Sequence, residues 1–251
     1  MGATTSTVSD ALRAERVKFT TLPSQWAAPL VALAMTVGVT AAVNAAYGAK
    51  DHTPGEDPAN GIFYGLLFGH VAVACLGVLL IGQEFNTRMV GASLTAVPRR
   101  GRLYGAKLAL GAGLGLLLGL ASTAGSFLAV GTTVGLDLST PGLARSFLAG
   151  VLYHPMMVLL CLGLTAMMGN LSAALGLLTP MVFLGTTWLA AIPGVRELGQ
   201  FLPDRAGLYA TRTKPEPGIH YGHWTGLLIM ALWTALAAYG GLRAMRRYEH
   251  H

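Results

Sequence analysis

Six stretches of this chain each run for about 20 mostly apolar residues, the length an α-helix needs to cross the hydrocarbon core of a bilayer. They are Trp26–Tyr47, Ile62–Ile81, Leu108–Val134, Leu143–Met168, Leu171–Ile192 and Trp224–Leu242. No other feature constrains the fold as strongly. A chain in hydrocarbon must satisfy its own backbone N–H and C=O groups, so runs of this length fold as helices. Of the 251 residues, 53% are hydrophobic and 11% are charged, against roughly 25% charged in an average soluble domain. The expected fold class is an all-α membrane protein, a single transmembrane domain over residues 1–251.

The few charges are grouped. Arg13, Arg16 and Lys18 precede the first run, Arg88, Arg99, Arg100, Arg102 and Lys107 separate the second from the third, and Arg243, Arg246 and Arg247 follow the last. With six spans these groups share one side, which the retention of Lys and Arg near span ends makes the cytoplasm. Both termini are then cytoplasmic and the protein is multi-pass in the cell inner (plasma) membrane. The net charge of +6 is explained by orientation and anionic lipid, not by nucleic acid. The loop after the first run sets Lys50 against Asp51, Glu56 and Asp57. Residues 193–223 read as a long external segment, with Arg196, Arg205, Arg212 and Lys214 partly balanced by Glu197, Asp204 and Glu216. The first run is longer than a signal-peptide core and is expected to be a retained span.

Local signals add detail. Residues 8–22 read as an interfacial helix on the membrane lipid, with Ser9 as cap, Asp10 in the first turn and Val8, Leu12 and Phe19 on one face. Gly169-Asn170 is a tight turn between the fourth and fifth spans. Gly111, Gly115 and Gly119 recur at every fourth position and form a smooth groove for a neighbouring helix. Pro29, Pro155 and Pro180 fall inside spans, where each removes a backbone donor. His70 and His154 lie within the second and fourth spans. Polar groups there are costly, and a neutral imidazole making one interhelical hydrogen bond is the expected form. Cys75 and Cys161 read as small core residues. His220 and His223 lack the further ligands that a metal site needs.

The chain carries no GxxxxGK[ST] loop, HExxH or GxSxG, so no catalytic residue, metal or cofactor is assigned to it. Its acidic residues fall in loops or tails, without the intramembrane acids that mark proton-coupled transport. If it moves a solute uphill, the energy comes from a partner.

The segment Glu84–Lys107, EFNTRMVGASLTAVPRRGRLYGAK, is short, basic and bounded by two spans. Arg88–Val97 can form a short helix with Met89, Val90, Leu94 and Val97 apolar, and Pro98 stops it. Two stretches here resemble the membrane subunits of ATP-binding-cassette exporters of the type-2 permease class, especially the small bacterial ones. Ala14–Trp26 is similar to the family's entry into the first span, with Glu15, Lys18, Thr21, Ser24 and Trp26 at matching positions. The second stretch matches at Glu84, Leu94, Pro98, Arg99, Arg100, Ala106 and Lys107, and departs at Arg88, where a small residue is expected.

The resemblance implies a half-transporter. Two permease subunits, as a homodimer or a related pair, would stand above two cytoplasmic ATPase subunits, which alone bind ATP and Mg. Glu84, Arg88, Leu94, Pro98, Arg99, Arg100 and Lys107 would belong to the coupling element, and Glu15, Lys18 and Trp26 to the interfacial helix. A cargo path lined by the second and fifth spans would nominate Phe63, Phe68, His70, Phe183 and Trp188. The cargo class is a hydrophobic or amphipathic drug, antibiotic, peptide or lipid. The alternatives are a non-transport scaffold or sensor that docks a regulator on the same loop, and a secondary transporter driven by an ion gradient.

Overall fold

The computed structural model describes residues 13, 17, 23–47, 57–86, 100–190 and 196–247, with backbone alone for 23–25, 47, 86, 100, 102, 183–190 and 196. The described residues form helices and connections, with no strand among them. In chain order the helices are α1 (Pro23–Tyr47), α2 (Pro58–Ile62), α3 (Leu66–Asn86), α4 (Arg100–Thr133), α5 (Leu143–Met168), α6 (Leu171–Ala190), α7 (Arg196–Gly199), α8 (Pro203–Ala210) and α9 (His223–Arg247). Five of them, α1, α3, α4, α5 and α9, contain stretches long and apolar enough to cross a membrane. In α6 the stretch described with side chains, Leu171–Val182, is shorter.

α3 and α5 form the centre. α5 packs on α3, α4, α8 and α9, while α3 also packs on α1 and α6. Tyr104, Tyr153, Leu76, Ile81, Met157, Leu162 and Met230 are fully buried between them. The glycine groove faces α5. A Cβ built on Gly115 would lie 2.5 Å from the Pro155 Cα, and one on Gly119 would strike the Val151 carbonyl. Those are the proline and the carbonyl that proline cannot serve with an N–H, so the groove seats the irregular turn of α5.

Element boundaries depart from the apolar runs in two places. The run beginning at Ile62 is broken: Asp57 caps α2 through the Ala59 amide at 2.9 Å, Pro58 starts it, and residues 63–65 form a turn before α3. The backbone groups released there are met by α1. Thr40 Oγ1 accepts from the Gly65 amide at 3.0 Å and donates to the Ile62 carbonyl at 3.3 Å, and Asn44 Nδ2 donates to the Gly61 carbonyl at 3.0 Å. Hydroxyl and amide side chains are what a broken helix inside a bundle requires. The other departure is α4, which begins at Arg100, well before the apolar run at Leu108.

The Gly169-Asn170 turn forms as its residues predict. Gly169 adopts φ 63° and its N–H closes on the Thr165 carbonyl, while Asn170 Oδ1 accepts from the Ala173 amide at 2.9 Å and starts α6. Of residues 8–22, only Arg13 and Val17 are described, both helical and exposed. Ser9, Glu15 and Lys18 lie outside the described residues.

Candidate functional site

Three polar assemblies stand out in an otherwise apolar bundle. The first joins α3 to α4. Lys107 Nζ lies 2.9 Å from Glu84 Oε1 and donates to the Leu80 carbonyl at 2.9 Å. The two side chains are 4% and 10% exposed. A lysine seven residues inside α4 is tolerated because the carboxylate and the carbonyl replace its water. The described chain on the two sides of the segment 87–99, the end of α3 and the start of α4, is joined by this pair. α9 ends beside the start of α4, where a Cβ on Gly101 would lie 3.9 Å from an Arg246 nitrogen. Of the other residues nominated for coupling, Arg88, Leu94, Pro98 and Arg99 lie outside the described residues, and Arg100 is described as the first residue of α4 by its backbone alone.

The second assembly lies in the interior. The Tyr153 hydroxyl is 3.3 Å from His70 Nδ1, and the two rings stack with centroids 4.5 Å apart. His154 Nδ1 is 2.9 Å from the Gly150 carbonyl, which can only accept, so in the neutral ring that nitrogen carries the proton. Nε2 lies 3.0 Å from Ser122 Oγ, whose hydroxyl also reaches the Leu118 carbonyl. Each histidine thus makes the interhelical bond expected of it, α3 to α5 and α5 to α4. Asp204 on α8, 7% exposed, lines a cavity together with Met157 of α5. The acidic residues had read as confined to loops or tails, and this one is buried against the middle of α5.

Asp204 reaches that position because the segment after α6 folds back along the bundle. α8 runs antiparallel to α5: Ser146 Oγ donates to the Thr211 carbonyl, Gly207 fits against the Tyr153 ring, and Asp204 shares a cavity with Met157. The Phe201 carbonyl accepts from Trp233 Nε1 at 2.9 Å, near the middle of α9. A Cβ on Gly207 would press on both the Tyr153 ring of α5 and the Met230 sulfur of α9, so a glycine here gives α8 its room between the two helices. The segment 193–223 read as external from the count of spans, in spite of its basic residues. Its small residues, Ala206, Gly207 and Ala210, were the signal for close packing.

The third assembly pins this fold-back to the start of α2. Asp57 Oδ2 accepts from the amides of Thr213 at 2.9 Å and Lys214 at 3.0 Å, and Asp57 Oδ1 accepts from the Thr213 hydroxyl. Arg145 Nη1 donates to the Ala210 carbonyl at 2.7 Å, and Arg205 pairs with Glu216. Burial alone raises the Asp57 carboxyl, but donation from Thr213, Lys214 and Ala59 outweighs it and holds the group below its ordinary value of 3.8. A carboxyl depressed in the folded state contributes stability above its unfolded value, lost as pH falls through the lower folded value. The Thr213 and Lys214 amides are therefore expected to stay protected from hydrogen exchange down to the ordinary Asp range and to open only below about pH 3.8. Asp57→Asn is expected to open them at neutral pH. Exchange read by mass spectrometry checks this, and unchanged protection in the variant would show that the carboxylate is not the latch.

The chain matches no protein-family model, no curated protein and no solved structure.

The residues nominated for a cargo path do not come together on one described surface. Phe63 is buried edge-to-face on Phe127, with centroids 6.1 Å apart, and His70 is fully buried on Tyr153. Phe68 is exposed on α3. Phe183 and Trp188 belong to α6, their side chains outside the description. Trp26, matched to the first-span entry, is exposed on α1. Sequence reasoning missed Thr40, Asn44, Ser122 and Asp204. Thr36, Thr40 and Asn44 recur every fourth residue along α1, a stripe that was available as a signal.

Proposed function

We propose that this protein is the membrane permease subunit of an ATP-driven exporter of the type-2 ATP-binding-cassette class, moving a hydrophobic or amphipathic compound out of the cytoplasm. The buried Glu84–Lys107 pair is the observation that carries the reading. These residues are the outermost matches of the second motif, and their contact gives the basic segment one anchored base. Force applied to a helix within 87–99 by a docked ATPase would pass directly to α3 and α4. α6 completes six spans, the Glu84 end faces the cytoplasm with both termini, and Asp57 faces outside. A homodimer of this chain with two ATPase subunits is the working assembly, and ATP and Mg are bound by those subunits alone.

The test is capture of candidate ATP-binding-cassette ATPase subunits by the tagged full chain. Arg99→Glu with Arg100→Glu is expected to reduce capture about tenfold, the loss of one or two charge-assisted contacts. A surface charge change costs about 0.5 kcal/mol or less, so lost capture with an unchanged melting temperature marks a docking effect. Equal recovery by wild type and variant would remove the assignment.

A second reading, transport driven by an ion gradient, has one observation in its favour: Asp204 is an acid buried against α5. Uptake by reconstituted vesicles driven by a pH gradient, without any ATPase, would favour it over the first.

A further inference from the structure

We infer that the outward face of α9 holds one anionic phospholipid, its acyl chains along Leu228, Leu232 and Leu236 and its phosphate between Arg243 and Arg246. At about 100° per residue, these five residues and Tyr239 fall within an arc of about 80°. All six are exposed, the leucines and the tyrosine by more than half of their surface. Met230, Ala237 and Gly241 occupy the opposite face and are buried where α9 packs on α5 and its neighbours. From Leu228 to Tyr239 the helix rises about 16 Å at about 1.5 Å per residue. That is close to one leaflet of a hydrocarbon core about 30 Å thick. Arg243 and Arg246 stand about 6 and 10 Å beyond Tyr239, which brings their side chains to the headgroup layer.

The charge of the lipid follows from the arginines. Among the described residues no carboxylate pairs with Arg243 or Arg246; the ion pairs described lie elsewhere, Glu84 with Lys107 and Arg205 with Glu216. The Arg243 guanidinium carbon lies 5.0 Å from the centroid of the Tyr239 ring. That cation–π contact fixes the guanidinium at the edge of the apolar strip. Arg246 lies across the start of α4, where a Cβ on Gly101 would stand 3.9 Å from its nitrogen. Two like charges three residues apart on a helix repel, and an anion between them removes the repulsion. The guanidinium fork also matches the oxygens of a phosphate. A phospholipid supplies phosphate and alkyl chains in the order this face presents arginine and leucine. A soluble anion or an acidic protein surface would use the arginines and leave the leucines without a role. Basic residues at a span end attract anionic lipid in general; the alignment of these two with one apolar strip makes a site. The inference rests on α9 crossing a membrane and not on the export reading.

The experiment uses the full chain in a neutral detergent with phosphatidylglycerol or phosphatidylcholine of the same acyl chains, and counts bound lipid by native mass spectrometry. Phosphatidylglycerol is expected to bind about thirtyfold more tightly, the product of two surface arginines. Arg246→Gln should remove about fivefold of that preference, and Arg243→Gln with Arg246→Gln nearly all of it. Glycerol 3-phosphate at the same concentration should not compete, because it lacks the chains. Equal affinity for the two lipids, wild-type affinity in the double variant, or full competition by glycerol 3-phosphate overturns the site. A measurement on the wild-type chain decides the matter should the variants fail to fold. Phosphatidylglycerol carrying a diazirine near the end of one acyl chain, in vesicles, should label residues 228–239 on irradiation. Label confined to other helices overturns the site, the result that a second copy or a docked protein on this face would give. Failed ATPase capture with intact phosphatidylglycerol binding strikes only the export reading; the reverse result strikes only this site.

Discussion

Replacing Glu84 with alanine is expected to lower the melting temperature of the protein by about 6–20 °C. Removing one partner from a buried ion pair costs about 3–5 kcal/mol, and a chain of this size shifts by roughly 2–4 °C per kcal/mol. The pair is nearly inaccessible, and the Lys107 ammonium, which also donates to the Leu80 carbonyl, would lose its carboxylate counter-charge. Lys107→Ala should cost a similar amount by removing the ammonium that faces the buried carboxylate. The double variant Glu84→Leu with Lys107→Leu should recover most of the loss, because a buried pair replaced by apolar residues of similar volume is often neutral. The double variant also separates stability from coupling. If the pair serves to transmit force from the docked segment, the apolar double variant folds and captures the ATPase but loses cargo-stimulated hydrolysis. Thermal melts of the four proteins in one detergent give the cycle directly. Single variants that melt with wild type would mean that water reaches the pair.

Gly115→Leu is expected to destabilise the α4–α5 contact strongly. The built Cβ meets the backbone of Pro155, its Cα at 2.5 Å and its N at 3.0 Å, so no side-chain rotation relieves the clash. Overpacking a core costs about 1–3 kcal/mol where side chains can move, and a backbone contact puts leucine at or above the upper end. Gly113 provides the control. It lies two residues away in the same helix, and a Cβ there meets nothing within 4 Å. Gly113→Leu should melt with wild type while Gly115→Leu melts several degrees lower. Equal melting of both variants would mean that the α4–α5 contact is not a packing interface.

Much of the bundle was legible in the chain because hydrocarbon imposes a one-dimensional rule. About 20 apolar residues with no polar interruption have a single way to satisfy their backbone. That rule located the helices Pro23–Tyr47, Leu143–Met168 and His223–Arg247 to within a few residues. The every-fourth glycines identified a packing face, and the α-helical period settles which residues share it. The same rule failed where polar residues were satisfied by tertiary partners. Lys107 looked like the end of a loop, yet it is a helical residue because Glu84 and the Leu80 carbonyl replace its water. Ile62–Ile81 looked like a continuous span, yet its first turn is separate because Thr40 and Asn44 take up the broken backbone.

The sequence by itself determined the all-α class, the position of the apolar helices, the Gly169-Asn170 turn and the residues of the α4 groove. Each of these depends on the chain's own backbone chemistry or on residues within a few turns of one another. Only the tertiary structure decided that Glu84 and Lys107 meet, that His70 stacks on Tyr153, and that the charged segment before α9 folds back to bury Asp204. Those contacts join residues far apart in the chain. A buried charge is written in the sequence with the same letter as an exposed one, and only the arrangement of its neighbours distinguishes them.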